Sequence, residues 1–237
     1  LITATGLEAA PLKGALPWSP LPFPLGELFE LLAHDLYLAH LGVAKVNTAA
    51  GLALALHTVE PERVVQFGIG GAFAGSGLKL KQVAAATQET HLDTGVQLDG
   101  SWHDISTLGF ALVREYFNTF PTDAALTQTL AALTRATPCA FGTSETVTGS
   151  FERAEVLRGR FGVAVESMEG AAAAQVCTAL GVPFAELRGV SNAVGERDKG
   201  RWALGGAVRA VNRAVLNYLR AAHEVVGDIH EQQHEGQ

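Results

Sequence analysis

A single α/β domain, with a central, mostly parallel mixed sheet flanked by helices, is predicted by three features of this chain. Strand-like apolar runs alternate with helix-forming segments along its length. The runs at 63–68 and 182–190 read as strands buried within a sheet. A length of 237 residues with 48% hydrophobic content suits one large core better than two small ones. The domain is expected to span 1–227, followed by a polar tail at 228–237.

Taken in order, residues 1–5 read as a short strand and Gly6-Leu7-Glu8 as the turn after it. Glu8 then opens an Ala-rich helix. Ligands of α/β sheets bind beyond the carboxyl ends of strands, so Glu8 stands where chemistry is expected. Residues 15–24 hold four prolines (Pro17, Pro20, Pro22 and Pro24) and read as a loop carrying Trp18 and Phe23. A strand is expected at 36–41, and the stretch 42–50 resembles a known family's glycine-led entry into a long helix. In that entry Lys45 and Asn47 read as structural. The strand at 63–68 runs into Gly68-Ile69-Gly70-Gly71-Ala72. Glycines there let backbone N–H groups approach an oxygen-rich ligand closely. The segment has neither the Gly-Lys-Ser/Thr ending of a phosphate loop nor the spaced dinucleotide fingerprint.

A further strand is expected at 81–87. His91, Asp93, His103 and Asp104 follow without metal-ligand spacing, and no metal is assigned. The stretch 102–120 is too irregular to assign. A helix at 124–136, a strand at 138–141, a Thr/Ser/Gly loop at 142–150 and an amphipathic helix at 151–160 come next. The run 161–165 reads as a buried strand. It feeds a helix that continues to about residue 180, with Ser167 as N-cap and Glu169 in the first turn. The strand 182–190 ends in Ser191-Asn192, and a helix at 204–224 closes the domain.

The totals exclude several classes. A net charge of −7 with no basic cluster argues against nucleic acid as a partner. No run is apolar and long enough to span a bilayer. Cys139 and Cys177 show no metal spacing and read as buried free thiols of a reducing compartment, so a cytoplasmic location is expected. Charged residues are only 17%, which suggests that much helix surface is covered by other elements or by a second subunit.

Two side chains carry the chemical argument. At a helix start, free N–H groups and the positive end of the dipole favour ionised Glu169. A carboxylate accepts from two donors at once, which suits the vicinal hydroxyls of a ribose. The polarizable Met168 beside it can lie against the sugar ring. Read alone, the pair is equally an acid favouring a helix start and a Met filling the core. The Asn192 amide offers one acceptor and one donor.

Three stretches together resemble the nucleoside phosphorylase and nucleosidase superfamily: residues 1–8, Ser167-Met168-Glu169-Gly170-Ala171, and Arg188-Gly189-Val190-Ser191-Asn192. The resemblance runs in order along nearly the whole chain. The segment 191–198, followed by Trp202, points to the futalosine-cleaving branch. The resemblance implies hydrolysis of a purine nucleoside, with water as second substrate and no cofactor. It implies that Glu8 activates the water, Glu169 binds the ribose hydroxyls, and Thr146 and Val147 line the purine. Asn192 would hold the departing 6-oxopurine, its donor toward the 6-oxo oxygen and its acceptor toward protonated N7. Futalosine carries a benzoate, for which Arg197 is the candidate guanidinium and Trp202 the candidate stacking ring. Ile69, beside Gly70, stands where many relatives carry a Ser whose hydroxyl helps bind phosphate, and this favours water over phosphate. The alternatives are a methylthioadenosine/S-adenosylhomocysteine nucleosidase, disfavoured by Asn192, and a purine nucleoside phosphorylase, disfavoured by Ile69.

Overall fold

The computed structural model describes residues 1–223; the polar tail expected at 228–237 lies outside them. The chain begins with strand β1 (Ile2–Thr3), helix α1 (Gly6–Ala15), and an antiparallel edge of β2 (Ser19–Leu21), β3 (Glu27–Leu31) and β4 (Leu36–His40). Helix α2 (Lys45–Val59) and the long strands β5 (Val64–Ala72) and β6 (Val83–His91) follow. A hairpin of β7 (Gly95–Leu98) and β8 (Ser101–Asp104) and the short strand β9 (Thr119–Pro121) come next, β8 and β9 at the two ends of the stretch 102–120 that was too irregular to assign. The second half is α3 (Ala124–Thr134), β10 (Thr137–Thr143), α4 (Phe151–Phe161), β11 (Val165–Ser167), α5 (Gly170–Leu180), β12 (Phe184–Ala193) and α6 (Leu204–His223).

The strands form one mixed sheet in the order β11-β10-β6-β12-β5-β1-β4-β3-β2, with β9 on β6. β1, β4, β5 and β12 run parallel to one another, and β6, β10 and β11 do so in the opposite sense. The far end curls back so that β11 also pairs with β5, through Val165↔Ala72 and Glu166↔Gly71. β5, β12, β6, β10 and β11 thereby close into a five-stranded ring. Helices cover both faces. Leu12 of α1, Leu130 of α3 and Val211, Val215 and Leu219 of α6 pack on Val65, Phe67, Ala85 and Leu187. On the other face, Leu52 and Leu56 of α2 and Ala173, Ala174 and Cys177 of α5 pack on Ile2, Val64 and Phe184. Successive residues of β5 thus enter opposite cores, the period-two consequence of a strand buried on both faces.

Three expectations change in the folded protein. Pro20 lies in β2, not in a loop; as the outermost strand, β2 tolerates a residue without an N–H. The glycine segment after residue 68 is not a loop either, because β5 continues to Ala72 while pairing with β12 and β11. The cap residue of α5 is Glu169, at φ −129° and ψ −39°, so Glu169 precedes the first turn and Ser167 ends β11. The Ser167 hydroxyl still lies 3.4 Å from the Gly170 N–H.

Candidate active site

Four parallel strands end at one rim, and the chain beyond each end supplies a side of the same cavity, about 370 Å³ in volume. β1 leads to Thr5 and Glu8, β4 to Val43, β5 contributes Ile69 to Gly71, and β12 contributes Ser191 and Asn192. The curled end of the sheet adds Glu166 to Glu169 from β11 and its exit, and Ser144, Val147 and Thr148 from the loop after β10. Arg197 and Trp202 complete the lining. Nine of the ten residues expected from the sequence therefore share one cavity: Glu8, Ile69, Gly70, Val147, Met168, Glu169, Asn192, Arg197 and Trp202. Thr146 is the exception. Its carbonyl accepts from the Ser144 hydroxyl at 2.8 Å, and the residue borders a neighbouring hollow with Asp93, Trp102 and Arg153.

Glu8 is buried, 5% exposed, and held by four donors. Thr5 caps α1, and Glu8 at the third helical position closes a capping box with it. Oε2 accepts from the Thr5 N–H at 3.1 Å, the Thr5 hydroxyl at 3.0 Å and the Thr3 hydroxyl at 3.1 Å. Oε1 accepts from the Ile69 N–H at 2.9 Å, which leaves its other lone pair for a ligand in the cavity. A local helix-start motif thus orients a carboxylate at the sheet rim.

Glu169 takes its partners from outside its own helix. Oε1 accepts from the Ala44 N–H at 3.2 Å and Oε2 from Arg188 Nη2 at 3.2 Å. Ala44 makes this contact from φ +77°, a conformation costly for a residue with a side chain. Burial pushes the Glu169 carboxyl up, and Arg188 and the Ala44 amide pull against that shift, while the charges of Glu8 and Glu186 add to it. The helix-dipole argument for its ionisation is therefore replaced by an ion pair.

Arg188, on β12, is the hub that the sequence reading passed over. It is 1% exposed. Its Nε donates to Glu186 Oε1 at 2.6 Å and its Nη1 to the Ile69 carbonyl at 3.1 Å, and Nη1 lies 3.9 Å from Glu8 Oε1. Burial disfavours the charged guanidinium, but Glu186, Glu169 and Glu8 outweigh this and hold its pKa above the ordinary value. The signal was present in Glu186-Leu187-Arg188: a charge inside a buried strand must have a buried partner.

The other lining groups are also held. Asn192 Nδ2 donates to the Ala193 carbonyl at 2.8 Å, and Oδ1 lies 2.7 Å from the Ser191 hydroxyl. The carbonyl can only accept, and this sets the amide's orientation. Glu166 accepts from the hydroxyl and the N–H of Thr148, which ties the loop after β10 to β11. The Trp202 N–H donates to the Glu196 carbonyl at 3.2 Å, and the exposed Arg197 guanidinium lies 5.2 Å over its ring. Asp198 caps the following turn through the Gly200 N–H and lies 3.7 Å from Arg201. Lys45 pairs with Asp93 at 2.7 Å, and Asn47 donates to the Val43 carbonyl at 2.8 Å.

Residues 1–226 match the phosphorylase superfamily. A futalosine hydrolase of Thermus thermophilus is 37% identical over 209 residues, covering 84% of this chain and 90% of that protein. A futalosine hydrolase of Streptomyces coelicolor is 38% identical over 180 residues, covering 73% and 74%. The solved structure of a futalosine hydrolase mutant of Helicobacter pylori superposes with a TM-score of 0.81 over 93% of this chain and 97% of that one. At 18% identity it speaks for the fold alone.

Proposed function

The chain belongs to the phosphorylase superfamily, and from that premise we propose that it is a nucleosidase that hydrolyses the N-glycosidic bond of futalosine, releasing hypoxanthine. The futalosine hydrolases to which it is similar over most of its length support the substrate. The observation that carries the choice of water over phosphate is the backbone of Ile69. Its N–H is given to Glu8 and its carbonyl to Arg188, and its side chain has no donor. Backbone amides at a strand end can cradle an anion only if they are free.

In the proposed reaction, Glu169 accepts hydrogen bonds from the 2′ and 3′ hydroxyls through the lone pairs that Ala44 and Arg188 leave open. Met168 lies against the ribose. As the glycosidic bond stretches, positive charge grows on the sugar, between the carboxylates of Glu8 and Glu169, and is stabilised there. The base departs with its 6-oxo oxygen and N7 against Asn192, beside Val147. Glu8 Oε1 orients water and takes its proton as the water attacks the anomeric carbon, general-base help worth roughly 10²–10⁴-fold. Arg197 and Trp202 receive the benzoate. No metal or cofactor enters the scheme.

We also place the enzyme in the cytoplasm as a homo-oligomer. Free thiols at Cys139 and Cys177 support the first. Exposed Leu7 and Val43, which line the cavity, support the second. Among the described residues no helix is long and apolar enough to cross a membrane.

One assay tests the reading. Purified protein is given futalosine, inosine or methylthioadenosine, each with and without phosphate, and free base is measured. Hypoxanthine from futalosine at a phosphate-independent rate is expected. A requirement for phosphate, or faster release from methylthioadenosine, overturns it.

A further inference from the structure

Behind Arg188, away from the cavity, lie two carboxyl groups that the proposed reaction does not use. Glu89 on β6 and Glu186 on β12 are both fully buried. Two of their four oxygens accept from neighbours. Glu89 Oε2 accepts from the Thr143 hydroxyl at 2.8 Å, and that hydroxyl in turn accepts from the Ala171 N–H at 2.8 Å, in the first turn of α5. Glu186 Oε1 accepts from Arg188. The remaining oxygens, Glu89 Oε1 and Glu186 Oε2, have no donor among the described residues. They converge beneath Gly170, where a Cβ would collide with both. Two buried carboxylate oxygens without donors repel each other, and a single proton between them turns that repulsion into a hydrogen bond.

We propose that Glu89 and Glu186 share one proton, and that this pair is a positioning device. It holds Glu186 against Arg188, and through Arg188 holds Glu169 where it meets the ribose. The inference rests on the reading of Glu169 given above. Burial, and next the charge of Glu186, push the Glu89 carboxyl well above its ordinary range, so Glu89 carries the proton. The groups around it are few. β12 presents Glu186 and Arg188, β10 presents Thr143, and α5 presents Gly170. β9 sets Phe120 opposite Glu89 in the ladder. Further along β6, His91 is held down to about 4 by burial and by Lys45, and stays neutral above that pH. Arg188 is the cation in ion-pair contact with the pair, and it already faces Glu169 and Glu8. When the shared proton leaves at alkaline pH, the pair becomes two like charges, Arg188 is drawn toward them, and its hold on Glu169 loosens. Gly170 is required by the same geometry, because any side chain there drives the two carboxyl groups apart.

The test compares Glu89→Gln and Glu89→Leu with the parent enzyme. At neutral pH the infrared spectrum of the parent should contain a protonated-carboxyl C=O band that is absent from Glu89→Gln. The parent's kcat/KM for futalosine should fall on an alkaline limb, which Glu89→Gln abolishes because its amide donates to Glu186 at every pH. Glu89→Leu should lose about 10²-fold in kcat/KM, the scale of a small misplacement at a reacting centre, and Glu89→Gln should recover most of it. No protonated-carboxyl band, or an unchanged alkaline limb in Glu89→Gln, overturns the proposal. Should Glu89→Leu fail to fold, the band and the limb of Glu89→Gln still decide. Absence of hydrolysis by the parent sinks the functional reading but leaves the infrared band to judge the pair.

Discussion

The two ends of the cavity are built differently. The end that would hold the sugar is made of strand ends and a helix start: Glu8, Glu169 and Arg188 are each 5% exposed or less, and each has a partner on another element. The end that would receive the base and the benzoate is made largely of loops, with Val147 40% exposed and Arg197 exposed, resting on one aromatic ring. Rigid, desolvated charges suit a reaction in which charge develops at a fixed point. Exposed loop side chains suit the selection of a substrate, which varies among relatives of one fold. In the proposed reaction, chemistry and specificity fall to different kinds of structure within one pocket.

Three substitutions sharpen this contrast. The largest effect is expected of Glu8→Gln, which keeps the side-chain shape but cannot take a proton from water. kcat should fall by about 10²–10⁴-fold with KM for futalosine nearly unchanged; unaltered turnover in steady-state assays removes Glu8 from the scheme. Arg188→Met leaves Glu169 and Glu186 buried without a counter-charge. It should lower the unfolding free energy by about 3–5 kcal/mol, as removal of one partner from a buried ion network does, and urea titration measures this. A loss below 1 kcal/mol would mean that the carboxyl groups are neutral. The smallest effect is expected of Arg197→Ala: KM for futalosine rises about tenfold, the worth of one charge-assisted hydrogen bond, while inosine, without the carboxylate, is unaffected. An equal rise for both substrates moves Arg197 from the benzoate to the nucleoside.

Much of the layered fold was legible because its signals are local. The alternation of apolar runs and helix formers placed β4, β6, β10, β12, the start of β5 and the helices α3 to α6 near their observed positions. The misses have one cause. A glycine-rich strand, a proline-bearing edge strand and the short β7, β8 and β9 are made strands by the partners they pair with, and partners are distant in the chain. Thr146 fell outside the cavity for a similar reason: its direction is set by a turn closed by Ser144, which residue type does not reveal.

By itself, the sequence determined the α/β class, the stretches that lie at the sheet's carboxyl rim, and the identity of the acids and the amide there, because strand and helix periodicity and residue chemistry are properties of short segments. Only the tertiary structure decided that the Ile69 amide is given to Glu8, that Ala44 and Arg188 rather than a helix dipole hold Glu169, and that Glu89 and Glu186 meet beneath Gly170. Each of these is a contact between residues far apart in the chain. The free energy of a buried charge depends on what surrounds it in space, not on its neighbours in sequence.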